Sequence, residues 1–124
     1  MSQILVLGEL FHKNDYDNTE DVAVAVAADA LAIPITHAYV AKTTGADAEA
    51  LTLADGTIPG QLLVIHLTVD GGGDGTLTPT TATGWATIVF ADAGDQAVLM
   101  WVSEAAGWRI WSLTGASGPP AHTV

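Results

Sequence analysis

The sequence has no cysteine, which excludes disulfide staples and thiolate metal sites. Basic residues are nearly as scarce: 3 Lys plus Arg stand against 14 Asp plus Glu, a formal net charge of −11. So acidic a chain repels phosphate backbones, and nucleic acid is not expected as a partner. Charged residues of both signs make up only 14% of the chain and hydrophobic ones 49%. Two readings follow: apolar surface is covered between subunits, or the chain is a small β-domain rich in Ala, Thr and Gly. Long hydrophobic runs are missing as well. Residues 4–7 are too few to cross a bilayer, and residues 22–35 are interrupted by Asp29 and Pro34. The N-terminus lacks the basic region of a secretory signal, so the expectation is a protein made in the cytoplasm with no membrane partner.

What is present is organised around residues 55–79, DGTIPGQLLVIHLTVDGGGDGTLTP. Asp55 with Gly56 and Pro59 with Gly60 supply turns, and residues 62–69 then run apolar and β-branched until the glycines at 71–73. Strand alternation places Leu62, Val64 and His66 on one face and Leu63, Ile65 and Leu67 on the other. With large apolar groups on both sides, this is expected to be a central strand, inside a sandwich or at a subunit contact.

At 124 residues the chain is expected to be one domain in three parts. Residues 1–35 read as an N-terminal arm and first strand, 36–113 as the body, and 114–124, with Pro119 and Pro120, as an irregular tail. The arm carries the apolar Ile4, Leu5, Val6, Leu7, Leu10 and Phe11 ahead of a polar run. It has too little apolar surface to fold on itself and is expected to order against a neighbour; the competing reading is a first strand of the body's own sheet. Residues 22–35 read as strand, because Val22, Val24 and Val26 alternate with alanines and Pro34 stops a helix. Further short strands are predicted at 36–43, 50–53, 76–78, 86–90, 97–102 and 108–113. Several short strands at roughly 8–12-residue intervals predict an all-β fold, an antiparallel β-sandwich or barrel of hairpins, jelly-roll-like, with an extended N-terminal arm.

Candidate chemistry is thin. His12, His37, His66 and His122 are scattered, with no pair at metal-ligand spacing, and His66 reads as a hydrogen-bonded core residue. Ser2, Ser103, Ser112 and Ser117 lie in no nucleophile-elbow context. The carboxylates sit beside glycine or alanine in turns, where solvation leaves them unsuited to proton transfer at neutral pH. Asp70 to Gly75, DGGGDG, has two carboxylates of a calcium loop but lacks a third, and reads as a turn. Asp15, Asp17 and Glu20 lack a calcium loop's glycine and distal glutamate. No catalytic residue, metal site or cofactor is therefore expected. Trp101, Trp108 and Trp111 share strands with Leu99, Val102, Ile110 and Leu113, which favours burial in a core or oligomer interface together with Leu63, Ile65 and Leu67. Trp85, beside Gly84, reads as the exposed tryptophan.

The series AKTTGADAEALTLADGTIPGQLLVI, VDGGGDGTLTP, GWATIVFADAGDQAVLMW and GWRIW resembles small structural proteins of tailed-phage virions. The shared elements are an ADG..GQ turn, a DGGG.GTLTP segment, a TI.F.DAGD turn and a terminal W.GW strand, in that order, over about residues 39–113. That family includes capsid decoration (cement) proteins, head fibres and parts of tail fibres. The resemblance implies an oligomer, commonly a homotrimer, on the outer surface of the virion, with the major capsid protein as its partner. Two other classes are weighed beside it: a carbohydrate- or receptor-binding tip using exposed tryptophans, and a small hydrolase with a perturbed carboxylate or histidine in a cleft.

Overall fold

Residues 23–124 are described by the computed structural model, and they form strands and turns with no helix. Ten strands are present: β1 (Ala23–Val26), β2 (Ala32–Ile33), β3 (Tyr39–Thr43), β4 (Glu49–Leu53), β5 (Leu62–Val69), β6 (Gly75–Pro79), β7 (Thr87–Phe90), β8 (Gln96–Trp101), β9 (Trp108–Thr114) and β10 (Ala121–Thr123). They make two five-stranded sheets, β1-β3-β5-β8-β9 and β10-β7-β6-β4-β2.

Alternation decides the layering. In β4 the burial pattern puts Leu51 and Leu53 inside and Ala50 and Thr52 outside; in β8 Ala97, Leu99 and Trp101 are inside. The inward residues of both sheets join in a single hydrophobic cluster, so the sheets pack face to face as a sandwich-like pair. β5 is the middle strand of the first sheet, with Leu63, Ile65 and Leu67 in that cluster.

The expected all-antiparallel arrangement is corrected. β1, β3 and β5 pair in parallel, as do β2, β4 and β6, and neither sheet closes into a barrel. A hairpin reading, and with it a jelly-roll order, assumes that each turn returns the chain to the neighbouring strand of the same sheet. Here the first five connections cross to the opposite sheet, so β1 to β6 climb as three rungs of a two-sheet coil. Only then does the chain reverse: β7 pairs antiparallel with β6, β8 with β5, β9 with β8 and β10 with β7, covering one side of the coil. Residues 22–35, expected as one strand, are from residue 23 on two strands around a turn in which Asp29 takes φ 65. The tail is not wholly irregular either, since β10 lies within it.

Candidate functional site

Because the strands run alternately up one sheet and down the other, the turns gather at two ends of the sandwich. At one end lie the turns 27–31, 44–48, 70–74 and 91–95. The second of these stacks on the third through Gly73 N donating to Gly45 O (2.9 Å) and Glu49 N to Asp74 O (2.9 Å). A side chain at Gly73 would overlap the Asp47 carbonyl, which explains the glycine run between two strands. Asp70 Oδ1 accepts from Gly72 N at 2.8 Å, so this aspartate serves its own turn. Asp95, buried at 3% exposure, caps the 91–95 turn by accepting from Ala91 N (2.9 Å) and Asp92 N (3.1 Å).

The core at this end is crossed by an ion pair. Lys42 of β3 and Glu49 of β4 face each other at 2.8 Å with their side chains 1% and 2% exposed. Lys42 Nζ also donates to Ala27 O (2.9 Å) and Ala30 O (2.6 Å), while Glu49 Oε2 accepts from Asp29 N (3.1 Å) and Gly45 N (2.7 Å). Burial pushes the Glu49 carboxyl upward, but the Lys42 ammonium and the two amides outweigh it and hold the group below the usual carboxylate value. The pair thus ties the first rung's turn to the second rung, across both sheets. Sequence reasoning missed it. One signal was available: the second sheet begins β4 with a glutamate at an inward position, seven residues after an inward lysine.

The opposite end is closed by tryptophans. Trp101 and Trp108 meet edge to face with ring centroids 5.5 Å apart, and Trp108 Nε1 donates to Ala54 O at 2.9 Å. Trp85, expected to be exposed, is 5% exposed, because its indole folds under the loop and Nε1 donates to Trp108 O at 2.9 Å. Gly56 lies directly against the Trp101 ring, where any Cβ would overlap it.

The outward face of the first sheet differs from both ends. The register places Tyr39, Val64, Val98 and Ser112 in one row, Leu62, Met100 and Arg109 in a second, and Ala41, His66, Gln96 and Thr114 in a third. Arg109 is the only formal charge in these rows. Tyr39 OH hydrogen-bonds His66 Nδ1, so His66 is bonded as expected but half-buried on the outward face and not in the core. A register shift opposite Val98 and Leu99 leaves Trp111 without a partner residue on β8. Such a bulge resets the inside–outside alternation. Trp108, Ile110 and Leu113 therefore face the core and Trp111 turns outward, 63% exposed. Of Leu63, Ile65, Leu67, Trp101, Trp108 and Trp111, expected in a core or an oligomer interface, Trp111 alone lies outside the core. With Met100, Arg109 and Ile110 it lines a dent of about 160 Å³. A second, wider depression of about 570 Å³ lies at the same end of the face, lined by Ile35, Thr36 and residues 57–61.

The second sheet's outward face is different again, carrying Ala50, Thr52, Thr76, Thr78, Thr87 and Val89, with Thr87 and Thr123 hydroxyls 2.7 Å apart. Among the described residues no three His, Asp or Glu side chains are grouped to hold a metal ion, and no helix is long and apolar enough to cross a membrane. The arm residues Ile4, Leu5, Val6, Leu7, Leu10 and Phe11 lie outside the described residues. No protein-family model matches the chain, and no curated protein matches it.

Proposed function

We propose that this chain is a structural protein of a tailed-phage virion, a capsid decoration (cement) protein that binds the outer surface of the major capsid protein lattice as an oligomer, in keeping with a homotrimer. The observation that carries this reading is the split between acidic ends and carboxylate-free faces. The described carboxylates lie at the turns or beside them, while the two broad sheet faces carry none. A surface that works by contact over a wide flat area needs that arrangement, whereas a small-molecule site needs convergent polar groups in a deep cleft. The resemblance to virion proteins rests on segments that build this fold: DGGG.GTLTP is the β5–β6 connection with β6 itself, and DAGD lies in the β7–β8 connection. In this role the protein stabilises a shell through many weak copies and needs no catalysis or cofactor.

Attachment falls to the N-terminal residues Ile4, Leu5, Val6, Leu7, Leu10 and Phe11, whose burial against capsid subunits offsets the ordering of the segment. Co-sedimentation of the purified protein with undecorated capsids tests the reading. Full-length protein should pellet with capsids in fixed stoichiometry, and protein lacking residues 1–21 should stay folded in the supernatant. Equal decoration by both proteins would remove the arm's role, and absence of binding by the full chain would remove the capsid assignment.

A second reading, a head-fibre or tail-fibre module that binds carbohydrate or a receptor, is favoured by one observation: the Trp111 indole is exposed beside Arg109 and the 160 Å³ dent. Glycan-dependent quenching of tryptophan fluorescence, absent in Trp111→Ala, would select it.

A further inference from the structure

We infer that the outward face of the β1-β3-β5-β8-β9 sheet, centred on Val64, Val98 and Met100 and flanked by Trp111, is the contact through which copies of this chain associate. The inference rests on the oligomeric reading above and names the surface that performs it.

Charge selects the occupant. With a formal net charge of −11, two copies repel each other wherever carboxylates are brought together. The Asp29, Asp47, Asp70, Asp74 and Asp92 side chains all cluster at one end of the sandwich, and Asp55 and Glu104 lie in turns at the other. Among the described residues the first sheet's outward face carries no carboxylate, so a second copy can approach there without like-charge contact. Arg109, at its margin, adds an attraction toward any acidic turn of the neighbour, and no carboxylate among the described residues pairs with it.

Composition then separates the two carboxylate-free faces. The second sheet presents mainly threonine and alanine, with Val89 as its larger apolar group, and small side chains of this kind gain little by burial. The first presents Leu62 at 43% and Trp111 at 63% exposure, together with half-buried Val64, Val98 and Met100. Aromatic residues, Met and Arg are the types enriched in interface cores. Alternation from the inward Trp108 and Ile110 places Trp111 there, and the β9 bulge that follows returns Leu113 to the core, leaving Trp111 as the large apolar group of β9 on this face.

Size is consistent with this occupant. Five strands about 4.8 Å apart and about 20 Å long present about 500 Å² in projection. Side-chain relief and the neighbouring Ile58, 66% exposed in the 54–61 connection, raise this toward the about 800 Å² per partner of a standard interface.

The test is native mass by light scattering over a concentration series, on the wild type, Met100→Glu, Val98→Glu and Trp111→Ala, with Thr52→Glu on the opposite sheet as control. Near-ultraviolet circular dichroism checks that the Trp101–Trp108 pair is intact in each. The wild type and Thr52→Glu should share one oligomeric mass. Met100→Glu and Val98→Glu should shift to monomer, and Trp111→Ala should weaken association at least about tenfold, the expected cost of losing an aromatic anchor. Oligomers that persist unchanged in all three face variants would overturn the inference and leave the oligomeric reading standing. A wild type that is monomeric at every concentration would overturn both, and would pass the face to a partner of another kind.

Discussion

The two ends of the sandwich solve one problem by opposite means. Each must close a gap between two sheets where the chain turns, with five connections at the Lys42 end, all crossing the core, and four at the Trp108 end, of which two cross. At the first the filling is a buried ion pair surrounded by four further hydrogen bonds; at the second it is three indoles, two of which also donate to backbone carbonyls. The difference follows from what each end has to hold. The acidic end stacks turns edge on edge, leaving backbone carbonyls and amides of residues 27–30 and 45 that need partners, and a charged pair supplies both a donor and an acceptor. The tryptophan end lies where rungs give way to antiparallel strands, and the wider space between loops is filled by volume.

Removing the largest piece of that volume should have the largest effect. Trp108 is 0% exposed, packs against Trp101 and donates to Ala54 O. Trp108→Ala should cost about 5 kcal/mol, at the upper end for an aromatic truncation, read as a lowered urea midpoint. Trp108→Phe should recover roughly half or more of it, because it restores most of the volume but not the hydrogen bond.

Breaking the other end should cost somewhat less. Lys42→Met leaves Glu49 buried with only amide partners and strands the Ala27 and Ala30 carbonyls, a loss of about 3–4 kcal/mol. The two ends differ most sharply in rescue. Adding Glu49→Leu to Lys42→Met should return a large part of the loss, since a buried pair is replaced by apolar groups of similar volume. A double mutant less stable than Lys42→Met would show that the amide contacts to Glu49 matter more than its charge.

Acid sharpens the same contrast at smaller amplitude. The folded-state Glu49 carboxyl sits below its ordinary value. Its contribution is therefore complete above the unfolded-state value and disappears as pH falls through the lowered folded one. Between about pH 7 and about pH 3 the wild type should lose more stability than the Lys42→Met/Glu49→Leu protein, while Trp108→Phe should follow the wild-type slope because it leaves the Lys42–Glu49 pair at the other end intact. Parallel slopes in all three would remove Glu49 from the acid response.

What the sequence displays of this molecule is its strands, and what it conceals is which sheet each strand joins. Residues 62–69 announce a central strand because alternation and turn glycines are local properties, and β5 occupies that place. The rungs of the coil start at Ala23, Tyr39 and Leu62, at unequal intervals, so no fixed period betrays the parallel pairing. Whether a turn folds back or crosses the core depends on contacts such as Gly73 against Asp47, which lie far apart along the chain. The outward face was largely legible: Val64, Val98 and Trp111, opposite Trp108 and Ile110, follow from alternation, but Leu113 does not, because a bulge shifts the count by one without leaving a glycine or proline to mark it. Trp85 was misjudged for a related reason, since its burial depends on the Trp108 carbonyl, twenty-three residues along the chain.

The smallest expected effect on folding separates Trp111 from its neighbour three residues away. With 63% of its surface in water, Trp111 fills no core volume, and Trp111→Ala should change the stability of a dissociated subunit by no more than about 0.5 kcal/mol. The measurement must be made at a protein concentration low enough to suppress association, because any assembly through this face would add its own concentration-dependent stability. If the variant matches the wild type when dilute and falls behind it as concentration rises, the exposed indole contributes through contact between copies. A loss of 2 kcal/mol or more in the dilute subunit, on the scale of a core truncation, would instead mean that Trp111 supports the fold. The division between a tryptophan end that holds the sheets and a face that meets other molecules would then have to be redrawn around β9.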